Sequence, residues 1–334
     1  MRILIADRFP EPQRDILAAR GHTVRYEPGL AQGELLQGVE DAEVLVVRST
    51  PVTGEAVAAG HALRAVVRAG SGINTIDAET AARLGVAVCN VPGRNADAVA
   101  ELTLGLMLAL DRRIPDATAD LRQGRWRKSH YAAAGGLKGR SLGLVGLGAV
   151  GRAVAERAAP FGLALLGIER AERDPAVTAR CRGLGMSFVP DLAALAERCD
   201  ILSLHVPATS ATTGLIDRQL LARVPPGAFI VNTSRGELVD TPALIEAMDH
   251  KDVRAALDVF DHEPEAGEAD FEHPLARHPN VYGTHHIGAS TEQAQQAIAE
   301  EVVAIVDDLV TGHARHCVNS PGTAVTDAPE PATR

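Results

Sequence analysis

Three short clusters in the second half of this 334-residue chain hold residue types suited to proton transfer and carboxylate binding. Val231-Asn-Thr-Ser-Arg235-Gly-Glu follows an apolar run and carries an arginine. A guanidinium fork gives a planar carboxylate two parallel charge-assisted hydrogen bonds, although a surface ion pair with Glu237 or Asp240 is the plainer role. Ala256-Leu-Asp258-Val-Phe-Asp-His-Glu263-Pro264 is acid-rich, and such loops are commonly just solvated. Thr284-His285-His286-Ile-Gly-Ala-Ser-Thr291 sets two histidines side by side. Neighbours on an extended segment point apart, and no HxxxH or Cys pair accompanies them, so no metal site is expected. His313 and His316 are expected to be exposed. Jointly the clusters carry more weight. Histidine exchanges protons near neutral pH, a neighbouring carboxylate favours its charged form and fixes its ring, and an arginine holds an acid group. A histidine from these clusters, oriented by a carboxylate, could take the proton of a hydroxyl whose carbon gives up a hydride, while the arginine holds the substrate's acid group.

A hydride needs an acceptor, and Leu142-Gly-Leu-Val-Gly146-Leu-Gly148-Ala-Val-Gly151 provides for one. It reads strand, Gly-x-Gly-x-x-Gly, helix. Gly146 permits the tight turn, Gly148 lets a pyrophosphate approach the backbone, and Gly151 lets the helix pack on the strand. The helix N-terminus offers N–H groups and the positive end of its dipole. A second apolar run, Leu163 to Ile168, ends at Glu169, where an acid accepts the ribose hydroxyls of NAD and repels a 2′-phosphate. Arg170 and Arg173 follow it and would soften that preference.

Short apolar runs alternate with helical patterns throughout, so the fold class is α/β, with two Rossmann-like parts built on parallel sheets. Strands are expected at Arg2–Ala6, Thr23–Tyr26, Val44–Val47, Ala65–Arg68 and Val86–Cys89. After a long apolar helix from Asn95 and a polar Trp126–Gly139 connection, seven more follow between Leu142 and Gly283. The last helix is expected to begin at Ser290, with Gln293 completing a capping box. Residues 1–94 and 289–319 would form a discontinuous substrate-binding domain, 95–288 an inserted NAD-binding domain, and 320–334 a disordered Pro-, Ala- and Thr-rich tail. A cleft between two such domains would hold cofactor and substrate.

The net charge of −10 argues against a nucleic-acid partner. Neither a charged-then-apolar leader nor an apolar run of membrane-spanning length is evident, which leads to an expectation of a soluble, cytoplasmic protein. The four cysteines, Cys89, Cys181, Cys199 and Cys317, lack CxxC spacing and read as small buried apolar side chains.

From about Met1 to Asn319 the chain resembles the D-isomer-specific 2-hydroxyacid dehydrogenases, nearest to the branch that oxidises phosphoglycerate. Gly146–Gly151, the Asn232–Arg235 turn, Asp258-Val-Phe with Glu263-Pro264, and His286-Ile-Gly-Ala-Ser-Thr291 carry the likeness. The resemblance implies that Arg235 binds substrate, that His286 is the acid/base and that Glu263 is its partner. It implies backbone contacts from Ala149 and Val150 to the pyrophosphate, a ribose contact at Glu169, and Asp258 as acceptor for the nicotinamide carboxamide. Ser71, Val206, Thr233, Ser234, Gly288 and Ala289 fall on its remaining NAD contacts, and Ser71 and Gly72 on its substrate loop. It also implies a homodimer through the cofactor domain, with the Asn95 helix and Trp126 arm at the interface.

Arg48 and Arg68 each end a strand of the first domain, and two cations there suit a phosphate; Lys128 would be a third. Capping a strand or pairing with an acid is the alternative role for either arginine. The phosphoglycerate branch carries arginines at both positions, which implies conversion of 3-phospho-D-glycerate to 3-phosphohydroxypyruvate, a step of serine biosynthesis. Reduction of hydroxypyruvate, glyoxylate or another 2-keto acid is the enzymatic alternative, and an NAD(H)-sensing binding protein the alternative of another class. Two departures stand out. The sequence ends near where the longer phosphoglycerate enzymes add a regulatory domain, so serine feedback is not expected. His285 stands where the family often has proline, which affects the loop carrying His286.

Overall fold

The computed structural model describes residues 1–30, 32–264 and 268–319, Gln32 by its backbone only. The tail expected at 320–334 lies outside the described residues. The chain divides into two units, Met1–Asn95 with Ser290 onward, and Ala96–Ala289.

In the first unit, β1 (Arg2–Ile5), β2 (Thr23–Tyr26), β3 (Val44–Val47), β4 (Ala65–Arg68) and β5 (Ala87–Cys89) form a parallel sheet in the order β2-β1-β3-β4-β5. Alternate residues of a strand face opposite sides, so a strand covered on both faces must be apolar throughout, as Val44–Val47 is. Ile3, Ile5, Val44 and Val46 pack with Leu17 and with Ile298, Val302 and Val306 of the helix Glu292–Val310. Leu4, Leu45 and Val47 face the other way, against Leu35, Val57 and Ala81. That last helix is capped by Thr291, whose hydroxyl accepts the Ala294 N–H at 3.1 Å, one residue later than the expected Ser290.

Strand order reverses between β1 and β3, and loops at such a switch point diverge and leave a crevice. Here the Asp7 carboxylate accepts the N–H groups of Arg48, Ser49 and Thr50 at 2.6, 3.0 and 3.0 Å. Burial works against its charge, but these donors hold its pKa below the ordinary value.

The second unit holds β6 (Ser141–Val145), β7 (Ala164–Ile168), β8 (Ser187–Val189), β9 (Ile201–Leu204), β10 (Phe229–Asn232), β11 (Arg254–Leu257) and β12 (Val281–Gly283). All pair in parallel, in the order β12-β11-β10-β9-β6-β7-β8. One face packs Leu142, Leu144 and Val231 against Leu104, Met107 and Leu110 of the helix Ala96–Arg112. The other packs Leu202, Leu204 and Ile230 against Leu195, Leu221 and Leu244. Its switch point lies between β6 and β9. Among the described residues no helix is long and apolar enough to cross a membrane.

Candidate active site

β6 runs into Gly146, whose φ of +100° is one that glycine adopts without a side-chain clash. A Cβ there would lie 2.4 Å from the His205 carbonyl oxygen, and one on Gly151 would lie 2.1 Å from the Gly146 carbonyl oxygen. Strand, turn and the first turn of the helix Ala149–Ala158 are therefore closer than side chains allow. Gly148 is the N-cap and supplies no side-chain acceptor, so the leading N–H groups at Ala149 and Val150 have no side-chain cap. This cradle fits a pyrophosphate. Val206 borders it, with Cγ1 2.8 Å from the same hypothetical Cβ on Gly146.

Glu169 directly follows β7 and is exposed, its N–H fixed on the Val189 carbonyl at 2.8 Å and its carboxylate 3.8 Å from Arg182. Arg173 corrects an expectation. Its guanidinium donates to the Ile168 carbonyl at 2.6 Å and stacks on the Phe188 ring, so it is committed to the fold.

The three proposed catalytic side chains follow β10, β11 and β12. In the turn after β10, the Asn232 side chain accepts from Ser234 N–H and Oγ–H at 3.0 and 2.9 Å and donates to the Arg235 carbonyl at 2.7 Å. Arg235 itself donates to the Ser234 carbonyl at 2.6 Å. The next residue is Gly236, where a Cβ would lie 1.9 Å from the backbone carbon of Phe260. Glycine thus lets the loop after β11 cross directly over the Arg235 turn. That loop delivers Glu263. One carboxylate oxygen accepts the Phe260 N–H at 2.7 Å, and the other meets His286 Nδ1 at 2.7 Å. Burial raises the Glu263 pKa, but His286, the Phe260 N–H and the field of Arg235 outweigh it and the net shift is downward.

His286 sits on a short loop at φ +52°, its N–H bonded to the Asp258 carbonyl at 2.7 Å. The Asp258 side chain, 1 % exposed, clamps the same loop. It accepts Thr284 Oγ1–H at 2.6 Å and the N–H groups of Ile287 and Gly288 at 2.9 Å each. A carboxylate has about four acceptor sites, so three are used in holding the histidine loop. Thr233 is similarly committed, its hydroxyl 2.9 Å from Thr103 on the long helix. His285 is exposed, and Ala289 closes the loop.

Sequence reasoning passed over His205. It follows β9 at the switch point, its Nε2 lies 2.9 Å from Ser203 Oγ, and its Nδ1 is buried with no hydrogen-bond partner among the described residues. Burial drops its pKa to about 3, so the ring beside the cradle is neutral. A histidine closing the strand next to the glycine-rich one was the available signal.

In the first unit, Arg48 directly follows β3 and Arg68 ends β4, where Val47 and Arg68 are partners in register. Arg48 donates to Ser290 Oγ at 3.1 Å. The Arg68 guanidinium lies over Gly70, occupying the space a Cβ there would need. Gly72 is half-buried on the following loop. Ser71 donates to the Val91 carbonyl at 3.2 Å, and its own carbonyl accepts from the Asn90 side chain at 2.6 Å.

Residues 104–288, more than half of the chain, match the family description D-isomer specific 2-hydroxyacid dehydrogenase, NAD binding domain. The chain belongs to the D-isomer-specific 2-hydroxyacid dehydrogenase family. The stretch matching its NAD-binding domain contains β6 through β12, the glycine cradle, Arg235, Glu263 and His286. Among curated 2-hydroxyacid dehydrogenase relatives, a D-3-phosphoglycerate dehydrogenase of Methanocaldococcus jannaschii is 40% identical over 96% of this chain and 60% of its own length. The chain thus spans about three fifths of the length of the first curated relatives it matches. A hydroxypyruvate reductase of Thermotoga maritima is 40% identical over 90% of this chain and 96% of its own. The crystal structure of the TT0316 protein from Thermus thermophilus superposes with a TM-score of 0.84 and 34% identity, covering 95% of this chain and all of that one.

Proposed function

We propose that the chain is an NAD-dependent dehydrogenase of D-2-hydroxy acids that interconverts 3-phospho-D-glycerate and 3-phosphohydroxypyruvate. The observation that carries the activity is the 2.7 Å contact between His286 Nδ1 and Glu263, which places a proton acceptor in the same unit as a dinucleotide cradle. Glu263 on Nδ1 keeps the ring proton there and leaves the Nε2 lone pair for the substrate hydroxyl. Arg235 binds the substrate carboxylate with its fork and polarises the adjacent carbonyl. NAD, when bound, accepts the hydride. Ala149 and Val150 offer backbone N–H groups to its pyrophosphate, and Glu169 takes the adenosine ribose. Ser71, Thr233, Ser234, Asp258, Gly288 and Ala289 complete the cofactor contacts, with Asp258 and Thr233 acting mainly by holding loops. Arg48 and Arg68 hold the phosphate, beside the Ser71–Gly72 loop.

The hydroxypyruvate reductase likeness favours a second reading, because that relative matches over nearly its whole length. Initial rates by NADH absorbance, with 3-phosphohydroxypyruvate, hydroxypyruvate and glyoxylate and with each nicotinamide cofactor, separate the two. A kcat/KM highest for the phosphorylated acid is expected; a higher value for hydroxypyruvate or glyoxylate moves the assignment to the reductase. NAD(H) binding with no turnover of any of the three would leave a sensing role, against which the complete Arg235, Glu263 and His286 set argues. We further infer a homodimer through the second unit, where Ile114, Leu121 and Trp126 are exposed, Trp126 by 79%. Large apolar side chains left in water on one segment are typical of a surface awaiting a partner.

A further inference from the structure

Cys89 and Cys317 are more than two hundred residues apart in sequence, yet they stand directly opposite one another. Cys89 ends β5, the outer strand of the first unit's sheet, and pairs with Cys317 in an isolated antiparallel bridge. The flanking hydrogen bonds run from Asn90 N–H to His316 O at 3.1 Å and from Val318 N–H to Val88 O at 2.8 Å. Neither cysteine exchanges backbone bonds with the other, so they form the non-hydrogen-bonded kind of cross-strand pair, with Cα atoms about 4.5 Å apart. That lies within the span a disulfide bridges, about 4.4–6.8 Å. Both side chains pack in the same apolar cluster, and neither is in a disulfide. We propose that Cys89 and Cys317 are a redox pair that closes into a reversible disulfide, stapling the strap 316–319 onto the sheet edge.

The surroundings favour this chemistry. Cys89 is fully buried, whereas Cys317 is half-buried. The neighbouring Cys89 thiol pushes the Cys317 pKa down; Cys317 and burial push that of Cys89 up. Cys317 is thus the attacking thiolate, once it releases its own hydrogen bond to the Asn319 carbonyl. The strap is already held without the bond. Arg315 and His316 meet the buried Glu301 at 3.2 and 3.3 Å, and the Asn319 side chain accepts from Val88 N–H at 2.6 Å and donates to Val86 O at 3.0 Å. Closure would therefore join two segments that are already paired.

With a low-molecular-weight disulfide such as oxidised glutathione as oxidant, the Cys317 thiolate attacks one sulfur and expels a glutathione thiolate. Cys89 then attacks Cys317 Sγ in the mixed disulfide and expels the second. Two protein thiols are oxidised to one disulfide, the small disulfide is reduced to two thiols, and the two cysteine protons pass to the leaving thiolates. The bond would lie one residue from Asn90, which gives its N–H to the strap and its side-chain amide to the Ser71 carbonyl. Strap and substrate loop are thus joined through one asparagine.

The test incubates the full chain with oxidised or reduced glutathione, traps free thiols by alkylation and maps non-reduced peptides. Unfolded, the reduced protein should show four thiols, its whole cysteine content. The oxidised protein should show two, with a peptide joining Cys89 to Cys317 and a melting temperature several degrees higher that dithiothreitol reverses. Cys317→Ser should show neither the cross-linked peptide nor the oxidant-dependent shift. Persistence of four thiols, a bond mapped to Cys181 or Cys199, or a mixed disulfide that stops at Cys317 would each overturn the proposal. Because the wild-type map decides it, the result does not hinge on any variant folding.

Discussion

His286 Nδ1 and Glu263 Oε2 lie 2.7 Å apart, while the other oxygen of that carboxylate is fixed by the Phe260 N–H at the same distance. The carboxylate is therefore held from behind by its own loop, and the imidazole takes its orientation from a group that cannot swing away. If His286 is the base, as proposed, such alignment in advance of substrate binding is the advantage of preorganisation.

Replacing His286 with alanine removes the proposed proton acceptor and leaves the glycine cradle untouched. We expect kcat to fall by about 10²–10⁴-fold with NADH affinity near wild type, measured by steady-state rates and fluorescence titration. A variant retaining half of wild-type kcat would remove His286 from the chemistry.

Glu263→Gln keeps shape but not charge. Because the folded-state pKa of Glu263 is depressed, its ionisation contributes stability that is present above its ordinary value of 4.5 and is lost as pH falls through the folded value. The melting-temperature gap between wild type and variant should therefore be open at neutral pH and close below pH 4.5. The kcat/KM profile against pH should also change, since Glu263 titrates in contact with His286 and glutamine does not. An unmoved profile would mean that the contact does not persist during turnover.

Gly236→Ala tests how the loop reaches the arginine turn. A methyl there must displace the Phe260 backbone, which costs about 1–3 kcal/mol and shifts Glu263 with it. Rates should drop more than cofactor affinity. Equal losses in both would place the effect on the whole unit instead of on the catalytic loop.

Glu169→Ala should raise kcat/KM for NADP and lower it for NAD, narrowing the preference. Arg182, 3.8 Å from Glu169, becomes available to a 2′-phosphate once the acid is gone. Arg182→Ala on the Glu169→Ala background should abolish that gain; retention of the NADP activity would point to Arg170.

Arg48→Ala and Arg68→Ala should each raise KM for 3-phosphohydroxypyruvate about ten- to a hundredfold, as expected from about 1.5–3 kcal/mol for a charge-assisted contact. Effects on unphosphorylated hydroxypyruvate should be much smaller. Equal losses on both acids would mean that the arginines bind the carboxylate or brace their loops, as the bond from Arg48 to Ser290 suggests for that residue.

Much of this was legible in the sequence, for a physical reason. A parallel strand buried on both faces must be a short unbroken apolar run, so Val44–Val47 and Ala164–Ile168 announce themselves. Gly146 and Gly151 are visible because sterics leave no other residue room. What could not be read were contacts set by tertiary packing. Thr291 and Ser290 are both capping residues, and only the backbone path decides between them. Asp258 reads as a ligand-binding acid, yet three of its acceptor sites serve the loop of His286. Arg173 reads as a cation near the ribose, yet it lies on Phe188. Cys89 and Cys317 carry no spacing signal, because their pairing exists only after the last segment returns to β5.

The helix Glu292–Val310 supplies most of the apolar cover for one face of a sheet whose five strands are complete by Cys89. On the ribosome those strands emerge about 200 residues ahead of the helix that shields them. At a synthesis rate of about 5–20 residues per second, the interval is roughly 10–40 s. During it the second unit, one uninterrupted segment, can finish folding while the first waits with Ile3, Ile5, Val44 and Val46 uncovered. Nascent chains of this protein are thus natural clients for a holding chaperone, and truncations that stop short of Val310 should aggregate even though Arg235, Glu263 and His286 are already made.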